Sequence, residues 1–387
     1  MRVDIQSLST YNRLAAEGAE AAAANLSGLT GVESYVEVSR IALASVGDVR
    51  AELADDVHCG VSIGIEGALD GQTLLTLDET STATLTEDLL PGLLGGRPAE
   101  DGVREVANIM TSGFIDGWAD FLGAAIEVTP PSHVDGDPLA AAETDLGDED
   151  VVFVFESEMG VADAGTDLSF SIYMLPERRS LTRLLDASDG EATIPMANLA
   201  AFDDLIDRGA AGAADHLTSM TGIETEVEVS RLSFVPVEDT PGHVGNTVYA
   251  GVVLELDGTP DGYIAILFDE PSARRVVDAL IPTDPPEEGD GFEGMSQSAI
   301  EEVGNVMTSG FVDGWANVLD GTIDISPPAF VHDMGDAIVD PLAARLGRTQ
   351  EHAFIIDTLI MADGSEIGCE IYVLPSADDL REALTEL

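Results

Sequence analysis

The residues best placed to do chemistry lie in one short segment that occurs twice. Around a helical wheel at about 100° per residue, with Glu105 at 0°, Asp101, Asn108 and Ser112 fall at roughly 320°, 300° and 340°. Met110, Phe114 and Trp118 fall on the opposite side, at roughly 140°, 180° and 220°. An apolar stripe is thus buried, and a ridge of Asp101, Glu105, Asn108 and Ser112 is left in solvent. The second copy is built alike: Val303, Met307, Phe311 and Trp315 form the stripe, and Ser298, Glu302, Asn305 and Ser309 form the ridge. Glu and Asn at i and i+3 project together from one helix face. A bland solvated face is the competing explanation, and recent duplicates would agree at these positions in any case.

Other chemistries have less to stand on. Six His (His58, His133, His216, His243, His332, His352) and two Cys (Cys59, Cys369) are scattered, without HxxxH or CxxC spacing, so no zinc site is expected. The two Cys lie in different halves and imply no disulfide framework. There is no Ser-His-Asp or Cys-His arrangement to support a covalent nucleophile. What remains is positioning and hydrogen bonding from the Glu–Asn ridge.

The elements that must hold this ridge repeat across the chain. Residues 105–131 and 302–328 share 16 of 27 aligned positions at an offset of 197. GVESYVEVSR at 31–40 returns as GIETEVEVSR at 222–231, and SIYMLPERRSLTRLL at 171–185 as EIYVLPSADDLREAL at 370–384. The chain of 387 residues is therefore two copies of a module of about 195, expected as 1–190 and 191–387. Each module divides again into two halves that read helix, three strands, helix, from period-2 Val/Ile runs between helical runs. Pro91–Gly102, Asp186–Thr193 and Pro282–Gly294, rich in Pro, Gly and acids, read as linkers. The fold class expected is α+β: two tandem modules, each a pseudo-two-fold pair of αβββα units with antiparallel or mixed sheets and long surface helices.

Charge narrows the partners. Asp and Glu number 73 against 16 Lys+Arg, all of them Arg, for a formal charge of −57. A phosphate backbone would be repelled, so no nucleic acid is expected. A hydrophobic fraction of 45% excludes a disordered acidic tail. No apolar run approaches the ~18 residues of a membrane span, and no apolar-cored leader opens the sequence, so a cytoplasmic protein without membrane contact is expected, as a monomer. Acidity spread along the whole chain, without Lys, points to a high-salt cytoplasm, where a Debye length of about 3 Å at 1 M makes self-repulsion tolerable.

The ridge and its flank carry a resemblance. The pattern [D/S]-x3-E-x2-N-x22-P occurs as Asp101, Glu105, Asn108, Pro131 and again as Ser298, Glu302, Asn305, Pro328. It resembles the signature of the CheC/CheX/FliY chemotaxis phosphatases, and the likeness covers essentially the whole chain as two CheC-like modules, with a halophilic archaeon as the expected source. The resemblance implies hydrolysis of the aspartyl-phosphate on the response regulator CheY. Asn108 and Asn305 would orient the attacking water, as a carboxamide does in GTPases. Glu105 and Glu302 would pair with the regulator's Lys. Asp101 and Ser298 would support the Glu or contact the partner, a role open also to Ser112 and Ser309, and Pro131 and Pro328 would shape the following turn. No cofactor of its own is implied, because the Mg²⁺ belongs to the phosphorylated partner.

In the first and third quarters the equivalent positions are Arg13, Ala16 and Ser39, and Asp204, Asp207 and Ser230. Arg13 cannot pair with Lys, Ala16 cannot hold water, and Asp207 would face the phosphate with like charge, so these two quarters are expected to be silent. FVHDMGDAIVDPLAARLG at 330–347 resembles the helical segment by which such proteins contact the deamidase CheD, with Asp333 at its acidic position; the counterpart at 132–143 is shorter. The alternative to an enzyme is a non-catalytic adaptor that binds CheY or CheD in archaeal taxis signalling. Such an adaptor would not need Asn108 and Asn305.

Overall fold

The computed structural model describes the chain apart from residues 1, 32, 48, 51–58, 86–98, 135–150, 162–168, 178, 181–192, 246, 282–291, 317–321, 363–366 and 387. The chain divides into two compact units, Met1–Thr193 and Ile194–Leu387.

In unit 1 the long helix α1 (Ile5–Thr30) leads into β1 (Ser34–Ser45), β2 (Cys59–Gly67) and β3 (Gly71–Leu77). The second half has α2 (Ala99–Leu122), the short strands β4 (Ile126–Val128) and β5 (Ser132–Val134), then β6 (Val151–Val161) and β7 (Ser169–Pro176). The strands pair in the order β4/β5–β2–β3–β7–β6–β1, every pair antiparallel. The two halves therefore interleave: β1 of the first half lies against β6 of the second, with Ile41 opposite Phe155.

Unit 2 repeats the plan. It has α3 (Met196–Thr221), β8 (Thr225–Pro236), β9 (Val248–Asp257), β10 (Gly262–Asp269) and α4 (Glu270–Leu280). Then come α5 (Met295–Ala316), β11 (Asp324–Ile325), β12 (Ala329–Met334), α6 (Gly335–Leu346), β13 (His352–Ala362), β14 (Gly368–Pro375) and α7 (Ala377–Glu386). The order is β11/β12–β9–β10–β14–β13–β8, again antiparallel throughout. The fold is thus α+β, and of the antiparallel and mixed sheets expected, the described strand pairs within each unit are all antiparallel.

Three expectations from sequence need correction. The second half of unit 1 has four strands rather than three, because SHV at 132–134 pairs with β2. Pro91–Gly102 is not linker to its end, since α2 begins at Ala99. The 330–347 segment is a strand before it is a helix: Ala329–Met334 pairs along β9 and only Gly335–Leu346 is helical. The counterpart at 132–143 is described only as far as Val134.

Helix α6 explains why β10 reads as a near-continuous apolar run, GYIAILFD, instead of alternating. Ala265 and Leu267 pack with Ile338, Val339 and Leu342 of α6, while Ile264, Ile266 and Phe268, on the opposite face by strand alternation, are also fully buried.

The helix that bears the ridge packs on the first helix of its unit through glycine. A Cβ at Gly18 of α1 would lie 2.7 Å from the backbone oxygen of Phe114, and Gly117 of α2 lies over Gly18. In unit 2, a Cβ at Gly209 would lie 2.9 Å from the Phe311 oxygen, and one at Gly212 2.9 Å from the Gly310 oxygen. Backbone-to-backbone approach of this kind leaves no room for side chains at the crossing. The aromatic stripe then fills the space toward the sheet: Trp118 is fully buried, stacked on Tyr11 at 6.0 Å and edge-on to Phe155 at 4.9 Å.

Candidate functional site

Helix α2 presents its ridge as the wheel predicts. Val103, Val106, Met110, Phe114 and Trp118 are buried, while Glu105 is exposed and Asp101, Asn108 and Ser112 are half-buried. Helix α5 does the same, with Val303, Met307, Phe311 and Trp315 buried, Ser298 and Glu302 exposed and Asn305 and Ser309 half-buried. Glu and Asn stand one turn apart on a helix fixed from below by its stripe and from the side by glycine packing. Among the described residues, no hydrogen bond or ion pair engages the side chains of Glu105, Asn108, Glu302 or Asn305. Both carboxylates and both carboxamides face solvent with their bonding capacity uncommitted.

The two serines are committed. Ser112 Oγ donates to the backbone oxygen of Asn108 at 2.7 Å, and Ser309 Oγ to that of Asn305 at 2.9 Å. Each hydroxyl hydrogen thus closes on the turn that carries the Asn, and only the oxygen's two lone pairs are left to accept. Asp101 is also engaged, in an ion pair with Arg104 one turn along, so its carboxylate supports Arg104 rather than Glu105. Ser298 has no such cation beside it: the residue aligned with Arg104 is Glu301, which accepts from Gln297 Nε2 at 2.8 Å.

Pro131 and Pro328 end a turn that sequence reading leaves half explained. Proline has no N–H to extend the ladder, and the residue two places before each signature Pro supplies the missing bonds. Thr129 N donates to Gly64 O at 2.8 Å while its Oγ1 accepts from Gly64 N at 2.8 Å. Ser326 repeats this on Glu255, with N to O at 2.9 Å and Oγ accepting from N at 2.8 Å. The signal was present as Thr-Pro-Pro and Ser-Pro-Pro, a hydroxyl before a donor-free pair. Gly113 and Gly310, inside the shared MTSGF, are a second missed signal: both mark where the partner helix approaches, against Asn25 and His216 respectively. Asn25 Nδ2 also donates to the Ile109 oxygen at 3.3 Å.

The start of α5 is pinned by aromatic packing. Phe292 is buried against Phe330 at 6.5 Å and edge-on to His332 at 5.3 Å, and His332 Nε2 meets Glu270 Oε1 at 2.9 Å. Asp333, next along β12, is exposed, and its Oδ1 accepts from the Met334 N–H at 2.9 Å. It is set on a strand edge ahead of α6, away from the α5 ridge in sequence and in element.

In the other quarters the aligned positions differ in chemistry and setting. Arg13 is exposed and 3.9 Å from Glu17, and Ala16 is half-buried. Asp207 is exposed on α3, the helix that also carries Asp204. Ser39 and Ser230 lie inside long strands opposite Ser157 and Thr358, where proline would remove a ladder donor. Among the described residues no group of three or more His, Cys, Asp or Glu could hold a metal ion. No described helix is long and apolar enough to cross a membrane. Cys369 is buried, and burial with Glu370 alongside pushes its thiol pKa upward, leaving it unreactive.

Comparison with known proteins gives the same segments. The model of the CheC-like family matches residues 99–134 and 295–332, the two ridges with their turns. CheC1 of Halobacterium salinarum, named provisionally as a CheY-P phosphatase, is 36% identical over 189 residues, which is 48% of this chain and 93% of that protein. The CheY-P phosphatase CheC of Bacillus subtilis is 25% identical over 185 residues, 46% of this chain and 88% of that protein. The crystal structure of Thermotoga maritima FliY aligns over 50% of this chain and 96% of its own, at 16% identity and a TM-score of 0.39. One relative of single-module length is thus matched over nearly all of itself by about half of this chain, and the family's own segment occurs in each unit: the chain belongs to the CheC-like family.

Proposed function

We propose that the protein dephosphorylates a CheY-like response regulator, with Asn108 and Asn305 orienting the attacking water and Glu105 and Glu302 docking on the regulator's active-site Lys. The observation that carries this reading is the pair of uncommitted side chains one turn apart on a rigid ridge, present in both units. An acyl phosphate is already reactive, so the catalyst has mainly to position an in-line water. Water attacks phosphorus, the bond from phosphorus to the aspartyl oxygen breaks, and the leaving electrons restore the regulator's carboxylate. The proton of the water passes to the departing inorganic phosphate. A carboxamide suits this role because it holds the water without adding negative charge next to the phosphoryl group. Ser112 and Ser309, bonded to the Asn backbone, steady the turn and do not themselves meet the partner through a donor. The protein supplies no cofactor, and the partner brings its own Mg²⁺.

The relatives named as CheY-P phosphatases support the substrate class. The reaction belongs where diffusible phosphorylated regulators are found, in the cytoplasm. The strand edge at Asp333 with helix α6 is the surface we assign to the deamidase CheD. The silent first and third quarters serve as packing partners for the active helices.

The test is a decay assay of phosphorylated regulator in molar KCl. The intact chain accelerates decay catalytically, and Asn108→Ala together with Asn305→Ala abolishes the acceleration. Decay at the normal rate with the double variant refutes the assignment, and stoichiometric protection without turnover supports the adaptor instead.

A further inference from the structure

The two ridges differ at the position one turn before the catalytic carboxamide. Arg104 precedes Asn108 at i, i+4, and Glu301 precedes Asn305 in the same way, so each lies beside its Asn on the helix surface. In unit 1 the Arg104 guanidinium is ion-paired to Asp101, with side-chain exposures of 40% and 37%. In unit 2 both members are exchanged, Ser298 for Asp101 and Glu301 for Arg104, and Glu301 is held by Gln297. The exchange is internally consistent. Without an arginine at 301, an aspartate at 298 would set a third carboxylate beside Glu301 and Glu302 within two turns.

A phosphoryl group brings roughly two negative charges to either ridge. It approaches a chain of net charge −57 that has only arginine as a fixed cation. A guanidinium is a planar fork of donors that matches phosphoryl oxygens. The Arg104 side chain can reach one turn back, to Asp101, or one turn forward, to the level of Asn108. Docking brings the regulator's ammonium onto Glu105, beside Asp101, and so weakens the hold of Asp101 on Arg104. The guanidinium is then free to turn forward onto the phosphoryl oxygens. At the other ridge Glu301 offers only repulsion.

We propose that Arg104 contacts the transferring phosphoryl group and makes the unit 1 ridge the faster of two unequal sites. This rests on the phosphatase reading of Asn108 and Asn305 given above. The test uses the full chain in two single-site forms, Asn305→Ala, leaving the unit 1 ridge, and Asn108→Ala, leaving the unit 2 ridge. Single-turnover decay of phosphorylated regulator is measured for each in molar KCl. The unit 1 ridge is expected to be faster by on the order of tenfold, less than for a buried oxyanion donor because the site is open and screened. Adding Arg104→Glu to the Asn305→Ala form removes that advantage, Arg104→Lys restores part of it, and adding Glu301→Arg to the Asn108→Ala form raises its rate several-fold. A purely structural role for Arg104 would not produce that gain at the other ridge. Equal rates for the two single-site forms, unmoved by Arg104→Glu, overturn the proposal and leave the phosphatase reading standing. If both single-site forms match the regulator's spontaneous decay, both fall.

Discussion

Replacing Gly18 by Ala tests whether α1 holds the ridge helix α2 in place. At a typical helical position, Ala is better than Gly by about 0.5–1 kcal/mol. At Gly18 the new Cβ would lie 2.7 Å from the Phe114 backbone oxygen and 3.2 Å from Phe114 Cδ2. A backbone oxygen cannot rotate away, so α1 and α2 must separate by about half an ångström, an overpacking cost of about 1–3 kcal/mol. The net effect is a loss of up to about 2.5 kcal/mol, or up to roughly 10 °C in melting temperature for a unit of this size. Gly28, in the same helix, is the internal control: a Cβ there meets nothing within 4 Å, so Gly28→Ala should raise stability by up to about 1 kcal/mol. The assay follows from composition. The chain has two Trp, one per unit, so in a Trp315→Phe background Trp118 fluorescence follows unit 1 alone. Trp118 also stacks on Tyr11 of α1 and therefore senses the helix separation directly. Opposite shifts for the two substitutions are expected, with lowered decay activity at the Asn108 site for Gly18→Ala only. If Gly18→Ala raises the melting temperature as Gly28→Ala does, the close approach, and with it the positioning role of α1, is wrong.

Two further outcomes concern charge. Asp261 has its pKa raised to about 6, first by its hydrogen bond with the Asp379 carboxyl, then by desolvation and by the Asp379 charge. Its folded pKa lies above the unfolded value, so the folded state holds the shared proton better, and stability falls as pH rises from about 4 through about 6. Asp379→Asn removes the opposing charge and should stabilise the protein at pH 7.5 by about 1 kcal/mol at most, since solvent screens this open pair, and make little difference at pH 4; a lower melting temperature at pH 7.5 would contradict the assignment. The overall charge of −57 predicts a melting temperature that climbs with KCl from 0.1 to 2 M, and a flat curve would count against adaptation to salt.

How far the sequence carried depended on whether a feature repeats within one element. The ridge was legible because one helix has one period, and Glu105, Asn108 and the Trp118 stripe are all set by that period. The duplication sets the second ridge by the same period. The sheet was less legible, because short strands such as Ser132–Val134 gain their pairing from β2, which lies far away in sequence, and no local pattern announces it. Asp333 was misplaced onto a helix for the same reason: VHDM pairs with β9, and that ladder overrides the helical tendency of the residues that follow. Arg104 is not legible from the shared motif, because it stands at a position where the two copies disagree.

The first and third quarters show where the constraint acts. On α1 the outer side has Arg13 and Ala16 at the motif positions, while Ala15, Gly18, Ala19, Ala22 and Leu26 are each fully buried or nearly so, with Gly18 set directly against Phe114 of α2. On α3 the inner side is Gly209, Ala210, Ala213, Ala214 and Leu217, while Asp207 points outward. A helix can lose an outward Glu or Asn at almost no cost in stability, since surface changes stay within about 0.5 kcal/mol. It cannot exchange a small inner residue without moving the helix packed on it. Each module can therefore hold its ridge in place only so long as the other helix keeps its small face. Whether a helix carries the Glu–Asn ridge is then set by its surface residues, whereas the geometry of that ridge is set by the glycines and alanines of the neighbouring helix.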